Sequence, residues 1–376
     1  MQKLIELKKD ETILVSSQVE SFLRPDFVYL PIPSNDVIVV YKNAPILIGD
    51  DISLSSSNLS SVSGIVRGIK KMNAYHFSGY FLEIENDFQE SRKEIKRKKK
   101  LSREEILTYI DLEHVQYLVF DAIDDEIYVL TENFYLFLYY EDFLALLDEL
   151  DTLFGFLGII LCVKASSSEN INKLMSALGM YPNIVLRVVP DYYLLGKPQF
   201  LLSYLGLEEK DSCVILASDF YHLFNILKRG RTKSDMLLTL SGNALLKPMV
   251  VQVKIGTKLK DVLQELGEFA TDDIVYFAGG LMSGEEIDAD FLDSFVITPE
   301  LMSILFMKKE EQKEAQACIH CGECSEVCPV GIHPLLLKEK KYYEKVKDVC
   351  LKCGLCSYIC PVHIHFNYDG KESSNE

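Results

Sequence analysis

The stretch Cys318-Ile-His-Cys-Gly-Glu-Cys-Ser-Glu-Val-Cys-Pro329 and its second copy, Cys350-Leu-Lys-Cys-Gly-Leu-Cys-Ser-Tyr-Ile-Cys-Pro361, hold eight of the ten cysteines in a chain of 376 residues. Both follow the spacing C-x2-C-x2-C-x3-C-P. In that spacing three thiolates of a tight loop bind irons of one [4Fe–4S] cube, and the fourth cysteine turns toward the other cube. A small helical di-cluster domain of the ferredoxin type is therefore expected at the C-terminus. On the crossed rule one cube takes Cys318, Cys321, Cys324 and Cys360, and the other takes Cys350, Cys353, Cys356 and Cys328. Zinc and disulfides are the competing readings. A tetrahedral zinc uses only four thiolates, which leaves the third and fourth cysteine of each motif, and both prolines, without a purpose. Gly322 and Gly354 follow the second cysteine of each copy and let backbone N–H groups approach cluster sulfurs, where hydrogen bonds tune the potential. His320, inside the first loop, is placed to affect that potential too.

Composition sets the outer limits. With 48% hydrophobic and 25% charged residues the chain has material for two or three domains with real cores. A formal net charge of −17 disfavours general nucleic-acid binding. The opening Met1-Gln-Lys-Leu-Ile-Glu-Leu-Lys-Lys-Asp alternates charged and apolar residues, so no signal peptide is expected. The longest apolar run, Leu153 to Val163, is 11 residues, well below the roughly 20 that span a bilayer. Cys162 and Cys213 sit in apolar stretches, where a buried inert thiol is the default.

Working back from the motifs, the pattern changes several times. Residues 1–90 read as β-rich: Phe27-Val-Tyr-Leu, Val37-Ile-Val-Val-Tyr and Ile65-Val66 are short runs separated by proline, asparagine and glycine. The serine-rich stretch Ser53 to Ser63 is read as a hairpin entering a strand rather than a flexible linker. Residues 91–112 form a basic linker and a helix. Seven positive charges fall between Arg92 and Lys100, either a solvated linker or a patch for an anionic membrane surface or an acidic partner such as a ferredoxin.

From 113 to 232 strands and helices alternate, which predicts an α/β layer with parallel strands. The strands are expected at Tyr117–Phe120, Gly158–Val163, Ile184–Val189 and Val214–Ala217, and the helices at Glu141–Leu153, Asn170–Leu178 and Gln199–Tyr204. Residues 233–285 read as strand, strand, helix, strand, a small α+β module, and residues 286–376 as the di-cluster segment with a polar tail. The fold class is multidomain α/β plus β.

These motifs, their order and loop residues such as Leu30-Pro-Ile-Pro, Val62-Ser-Gly-Ile-Val, Thr239-Leu-Ser-Gly-Asn, Val253-Lys-Ile-Gly-Thr and Phe277-Ala-Gly-Gly-Leu-Met resemble the C subunit of Rnf-type ion-translocating electron-transport complexes (RnfC). The Cys-Ser-Tyr-x-Cys-Pro ending of the second motif is typical of that family. The resemblance implies a sandwich- or barrel-like N-terminal β domain, a Rossmann-like α/β domain similar to a flavin-binding fold, and a β-grasp (SLBB-like) module ahead of the clusters. It also implies a peripheral position on the cytoplasmic side of a membrane, with the other subunits of an Rnf-like complex, and ferredoxin or another small redox carrier, as partners.

The chain departs from the family at several segments of the α/β domain, among them Tyr192-Tyr-Leu-Leu-Gly196 where the family has Y-P-x-G. A glycine-rich loop that would cradle a flavin or nicotinamide phosphate is replaced by Asp111-Leu-Glu-His-Val-Gln116, and the acidic-cysteine segment after the first strand by Asp121-Ala-Ile-Asp-Asp-Glu-Ile127. FMN and NADH are therefore not carried over from the resemblance. The carboxylates Asp121, Asp124, Asp125 and Glu126 are read as a polar loop, with metal or acid–base chemistry the alternative. The expected function is an electron relay between a soluble redox partner and membrane subunits. A flavin-dependent NADH- or cobalamin-reducing enzyme with a modified site, and a docking scaffold with structural clusters, are the alternatives.

Overall fold

The computed structural model describes residues 5–6, 19–33, 35–54, 59–95, 100–309 and 314–366. The chain is mixed α/β with three sheets ahead of a cysteine-rich helical segment. Four strands form a fully parallel sheet in the order Ile184–Val189, Gly158–Lys164, Tyr117–Asp121, Ser212–Leu216. The first strand in sequence is thus internal, and the order reverses between it and Ser212–Leu216. Leu118, Val119 and Phe120 are buried, as a parallel strand covered on both faces requires.

The helices Thr131–Phe154, Ser168–Ala177 and Pro198–Leu205 make the crossovers. The first is longer than its sequence pattern indicates, beginning at Thr131 rather than near Glu141. Tyr139 leaves helical geometry (φ −125°, ψ 17°). The bend lets Phe134, Tyr135 and Leu136 be buried ahead of it and Phe143, Leu144, Leu146, Leu147 and Leu150 after it. No single 3.6-residue stripe runs through both halves. Gly155, left-handed at φ 66° and ψ 55°, closes the helix by donating its N–H to the Asp151 carbonyl at 2.7 Å.

The second sheet has six strands, Val19–Phe22, Met249–Lys254, Asp235–Ser241, Ser303–Lys308, Ile274–Ala278 and Glu285–Ile287, in that spatial order. Asp235–Ser241 runs antiparallel to Met249–Lys254 and parallel to Ser303–Lys308. The helix Leu259–Leu266 buries Leu259 and Val262 in the core of this sheet. The third sheet is built on the hairpin Gly64–Ala74 and Phe77–Asn86, flanked by Phe27–Pro31 on one side and by Pro45–Ile46 and Phe295–Val296 on the other. Second and third sheets share one core that includes Val28, Leu30, Ile84, Leu238, Val251 and Phe306.

Two strands leave their sequence neighbourhood. Val19–Phe22 lies parallel to Met249–Lys254, and Phe295–Val296 lies parallel to Asn73–Ala74.

Several local expectations change. Ile65-Val66 extends into an 11-residue strand, Gly64–Ala74, with a register shift between Val66 and Gly68. Val37–Tyr41 makes only an isolated bridge, Ile38 to Ser53, and leaves Val37, Val39 and Tyr41 exposed at 59%, 48% and 74%. Alternate side chains face solvent while Val40 packs against the shared core, and backbone bonds from the Val39 N–H to Ile52 and from the Leu54 N–H to Val37, each 3.0 Å, hold the segment.

The serines at 60, 61 and 63 are buried and bonded. Ser61 Oγ donates to the Ile255 carbonyl at 2.6 Å and Ser63 Oγ to Asp87 at 2.6 Å, which an ordered hairpin lead-in requires and a linker would not supply. Of the basic run, Arg92 pairs with Glu90 and Lys93 with Asp51, both at 2.9 Å, while 96–99 and the polar tail after Phe366 lie outside the described residues. Among the described residues no helix is long and apolar enough to cross a membrane.

Candidate iron–sulfur centre

Each cysteine loop has the same backbone. The third residue, His320 in one and Lys352 in the other, sits at φ 53° and 50°, and the fifth, Gly322 or Gly354, at φ 84° and 76°. Left-handed residues at these two places turn successive N–H groups toward one side, a nest for an electron-rich group. The His320 N–H already donates to Cys318 Sγ at 3.4 Å, so what reaches a ligand sulfur is the histidine's backbone. Each glycine opens a short helix, Glu323–Glu326 or Leu355–Tyr358, that carries the third cysteine. Backbone pairing of the Gln316 N–H with the Val362 carbonyl at 3.0 Å brings the start of one motif to the end of the other.

None of the ten cysteines is in a disulfide. Cys328 lines the same small cavity as Cys350, Cys353 and Cys356, together with Pro329, Val330, Ile332 and Leu355. Cys360 packs against the cluster of Cys324, Cys356 and Phe366. The fourth cysteine of the first motif thus stands among the first three of the second, and the fourth of the second stands by the cluster that holds the third cysteine of each motif. Burial, with Cys356, Cys328 and Cys350 nearby acting in the same direction and the Leu355 N–H against it, pushes the Cys353 thiol up to about 11. Thiols crowded in this way keep their protons until a metal ion displaces them. The residues present fit iron–sulfur ligation: thiols outside any disulfide, left-handed nests and an apolar wall. Among the described residues no three His, Cys, Asp or Glu side chains converge on a single-ion site.

The two loops differ in surroundings. Cys321 is exposed and Ile319 is 62% exposed, whereas Cys353 is buried; the third cysteines, Cys324 and Cys356, are both buried. A Cβ on Gly322 would meet nothing within 4 Å, but one on Gly354 would lie 2.1 Å from the Met282 carbonyl oxygen. The second loop is therefore seated on the turn 279–284. That turn is held by Glu126, which accepts the N–H groups of Met282 and Ser283 at 3.1 and 2.9 Å and the Ser283 hydroxyl at 2.6 Å. A Cβ on Gly280 would lie 2.0 Å from the Glu126 carboxyl carbon, so glycine is what admits that side chain. Tyr193 completes the seat, its hydroxyl 2.9 Å from the Cys353 carbonyl and 3.1 Å from Glu126 Oε1. Sequence reading did not single out Tyr193 or Ser283; no periodicity or motif marks a hydroxyl whose partner is 160 residues away.

The other carboxylates of the acidic loop also act on the fold. Asp124 accepts the Glu132 and Asn133 N–H groups at 2.9 and 3.0 Å in the first turn of Thr131–Phe154. Glu132, unremarked in the sequence, accepts the Ser218 N–H and hydroxyl at 2.8 and 2.6 Å in the first turn of the helix Ala217–Phe224, which follows the last parallel strand. Asp125 accepts from the Gly196 N–H at 2.8 Å, and Asp121, fully buried, from the Ile123 N–H at 2.9 Å.

Burial, reinforced by the carboxylate beside it, raises Glu132 to about 8, and burial raises Asp124 to about 6 against the pull of its backbone donors. Both helix N-termini lie at the carboxyl ends of the parallel strands, beside the point where strand order reverses. Open α/β sheets receive anionic ligands there; here two of the chain's own carboxyl groups take the amides. Cys162 and Cys213 are held protonated by burial and lie in the α/β layer, away from the motifs.

Residues 317–364 match the family model described as a 4Fe-4S dicluster domain. Curated relatives are named as the C subunits of ion-translocating oxidoreductase complexes. The C subunit of the Na(+)-translocating ferredoxin:NAD(+) oxidoreductase complex of Acetobacterium woodii is 26% identical over 196 residues, 49% of this chain and 43% of that one. The C subunit of the ion-translocating oxidoreductase complex of Haemophilus influenzae is 27% identical over 186 residues, 47% of this chain and 23% of its own length. This chain therefore spans less than half the length of these relatives. Among solved structures, a chain of NAD+-reducing [NiFe]-hydrogenase in the H2-reduced state aligns at TM-score 0.45 and 11% identity, covering 65% of this chain and 53% of that chain.

Proposed function

We propose that this chain is an iron–sulfur electron-transfer subunit of an Rnf-like ion-translocating oxidoreductase complex, carrying two [4Fe–4S] clusters and relaying single electrons between a soluble redox carrier and membrane subunits. The observation that carries the reading is the company of Cys328: it shares a cavity with Cys350, Cys353 and Cys356, the neighbourhood that crossed ligation of two cubes demands. Cys318, Cys321, Cys324 and Cys360 would hold the other cube. When bound, the clusters supply one-electron chemistry. The chain's part is to keep one loop open to solvent and to seat the other against the body through Gly354, Tyr193 and the turn held by Glu126.

The remaining divisions follow the same reading. Residues 1–90 would be the sandwich- or barrel-like β domain, 91–112 a linker and helix, 113–232 a Rossmann-like layer and 233–285 a β-grasp module; the segment 286–376 would lend the strands Phe295–Val296 and Ser303–Lys308 to the body sheets and carry the clusters in its cysteine-bearing part. Asp124 and Glu132 on the helix N-termini support a layer that positions the clusters rather than one that binds FMN or NADH, because a phosphate there would displace a carboxyl group or face its charge. The relatives' names support a peripheral place on the cytoplasmic side of a membrane complex, with ferredoxin a candidate carrier.

Iron and sulfide analysis of anaerobically purified protein tests the proposal. About eight irons per chain, with two interacting paramagnets on reduction, is the expected result. About four irons, or zinc in their place, overturns the two-cluster relay.

A further inference from the structure

A cleft of about 550 Å3 opens where the third sheet, the α/β layer and the second sheet meet, and the iron–sulfur centre makes no use of it. Its wall carries Arg24, Arg92, Arg229, Arg231 and Lys254 against two carboxylates, Glu90 and Asp235. In a chain of net charge −17 that is an inverted local balance.

The carboxylates are already engaged. Glu90 pairs with Lys254 and Arg92, both at 2.9 Å, and Asp235 accepts from Gln252 at 2.6 Å and Ser234 at 3.0 Å. Arg229 pairs with Asp142 at 3.1 Å. Arg24, whose guanidinium lies 5.5 Å from the Phe88 ring centroid, and Arg231, which is exposed, have no carboxylate partner among the described residues.

Cations favour helix C-termini, and Arg229 and Arg231 flank the one that ends at Gly230. That accounts for neither Arg24 nor Lys254, which come from other segments. His222, also on the wall, is held neutral, lowered to about 2 by burial and then by Lys233. The cleft lies toward the far end of the helix that Glu132 caps, so it is separate from the filled N-termini described above.

We propose that this cleft binds a small phosphate-bearing anion of pyrophosphate or nucleotide size, with Arg24, Arg92 and Arg231 contacting the phosphates. Forked guanidinium groups match phosphate oxygens in pairs, and the volume is within the range of small-molecule sites. Phe88 on the same wall, 40% exposed, offers ring surface to an organic portion.

The test is anaerobic thermal unfolding of the full, cluster-loaded chain with pyrophosphate or ADP, against potassium chloride of equal ionic strength. Both anions are expected to raise the midpoint saturably, and Arg24→Ser with Arg231→Ser to weaken binding about tenfold or more. No rise beyond chloride, or an unchanged affinity in the double variant, overturns the proposal. Arg231→Ser alone touches only an exposed side chain, so an unchanged affinity there overturns it even if the double variant does not fold. Sedimentation with anionic phospholipid vesicles separates a lipid headgroup from a free ligand: vesicle binding that needs these arginines, without pyrophosphate or ADP binding, also overturns it.

Discussion

The Tyr193 hydroxyl donates to the Cys353 carbonyl oxygen across 2.9 Å, tying the α/β layer to the second cysteine loop. Tyr193→Phe keeps the ring in its apolar setting with Ile127 and Leu355 and removes only the hydroxyl, and with it both this bond and the one to Glu126. Leaving a buried carbonyl without it costs about 1–3 kcal/mol. The second cluster is expected to lose iron to a chelator sooner than in the parent while the first is unaffected, followed by paramagnetic resonance of the reduced protein. Equal loss from both clusters would contradict the seating described for the second loop.

Exchange of the fourth ligand separates crossed from local ligation. Cys328→Ser is expected to damage the cluster of Cys350, Cys353 and Cys356, and Cys360→Ser that of Cys318, Cys321 and Cys324. Mössbauer spectra of the two variants should show opposite sites altered. Damage to the cluster of the same motif in each case would establish local ligation instead.

The two loop glycines are equivalent in φ but not in space. Gly322→Ala meets open surroundings and should cost only the left-handed penalty of about 1 kcal/mol, with both clusters kept. Gly354→Ala adds a collision with the Met282 carbonyl, so the second loop must lift from turn 279–284. Iron content near half of the parent's is the expected reading for that variant alone.

Glu132 gives a pH dependence with a definite sign. Its folded pKa, about 8, is above the ordinary 4.5, so the folded protein holds a proton that the unfolded chain has released through that interval. Stability therefore falls as pH rises from about 4.5 to about 8. His222 runs the other way: lowered from 6.5 to about 2, it withdraws stability as pH falls below about 6.5. The uncontested window is pH 6.5 to 8. There the unfolding midpoint of the parent should decline with pH, and the decline should be shallower in Glu132→Gln. A parallel decline in both would assign the effect to other groups.

What could be read from the sequence was local or periodic. The parallel strands announce themselves as short apolar runs between helix signals, and Ile184–Val189 has the bounds its pattern implies. The two cysteine motifs are legible because their spacing is set by a cluster's own dimensions. The first half of Thr131–Phe154 was missed because Phe134, Tyr135 and Leu136 are consecutive and a bend at Tyr139 breaks the period.

Val37–Tyr41 has the composition of a strand but faces solvent, since β-propensity carries no information about which partner covers it. Glu132 could not be found from its neighbours: its role depends on Ser218 in another helix. The acidic loop is polar, as read, but each of its carboxylates secures a particular backbone amide.

The parallel pairing of Val19–Phe22 with Met249–Lys254 has an outcome in the order of synthesis. An emerging chain holds the first of these strands long before its neighbour exists, and the strand cannot be hydrogen-bonded in its final place until residue 254 has left the ribosome. Such distant closure is entropically slow. A fragment ending near residue 90 would carry that strand with neither its sheet nor its parallel neighbour, and would present a bare edge of the kind that drives self-association.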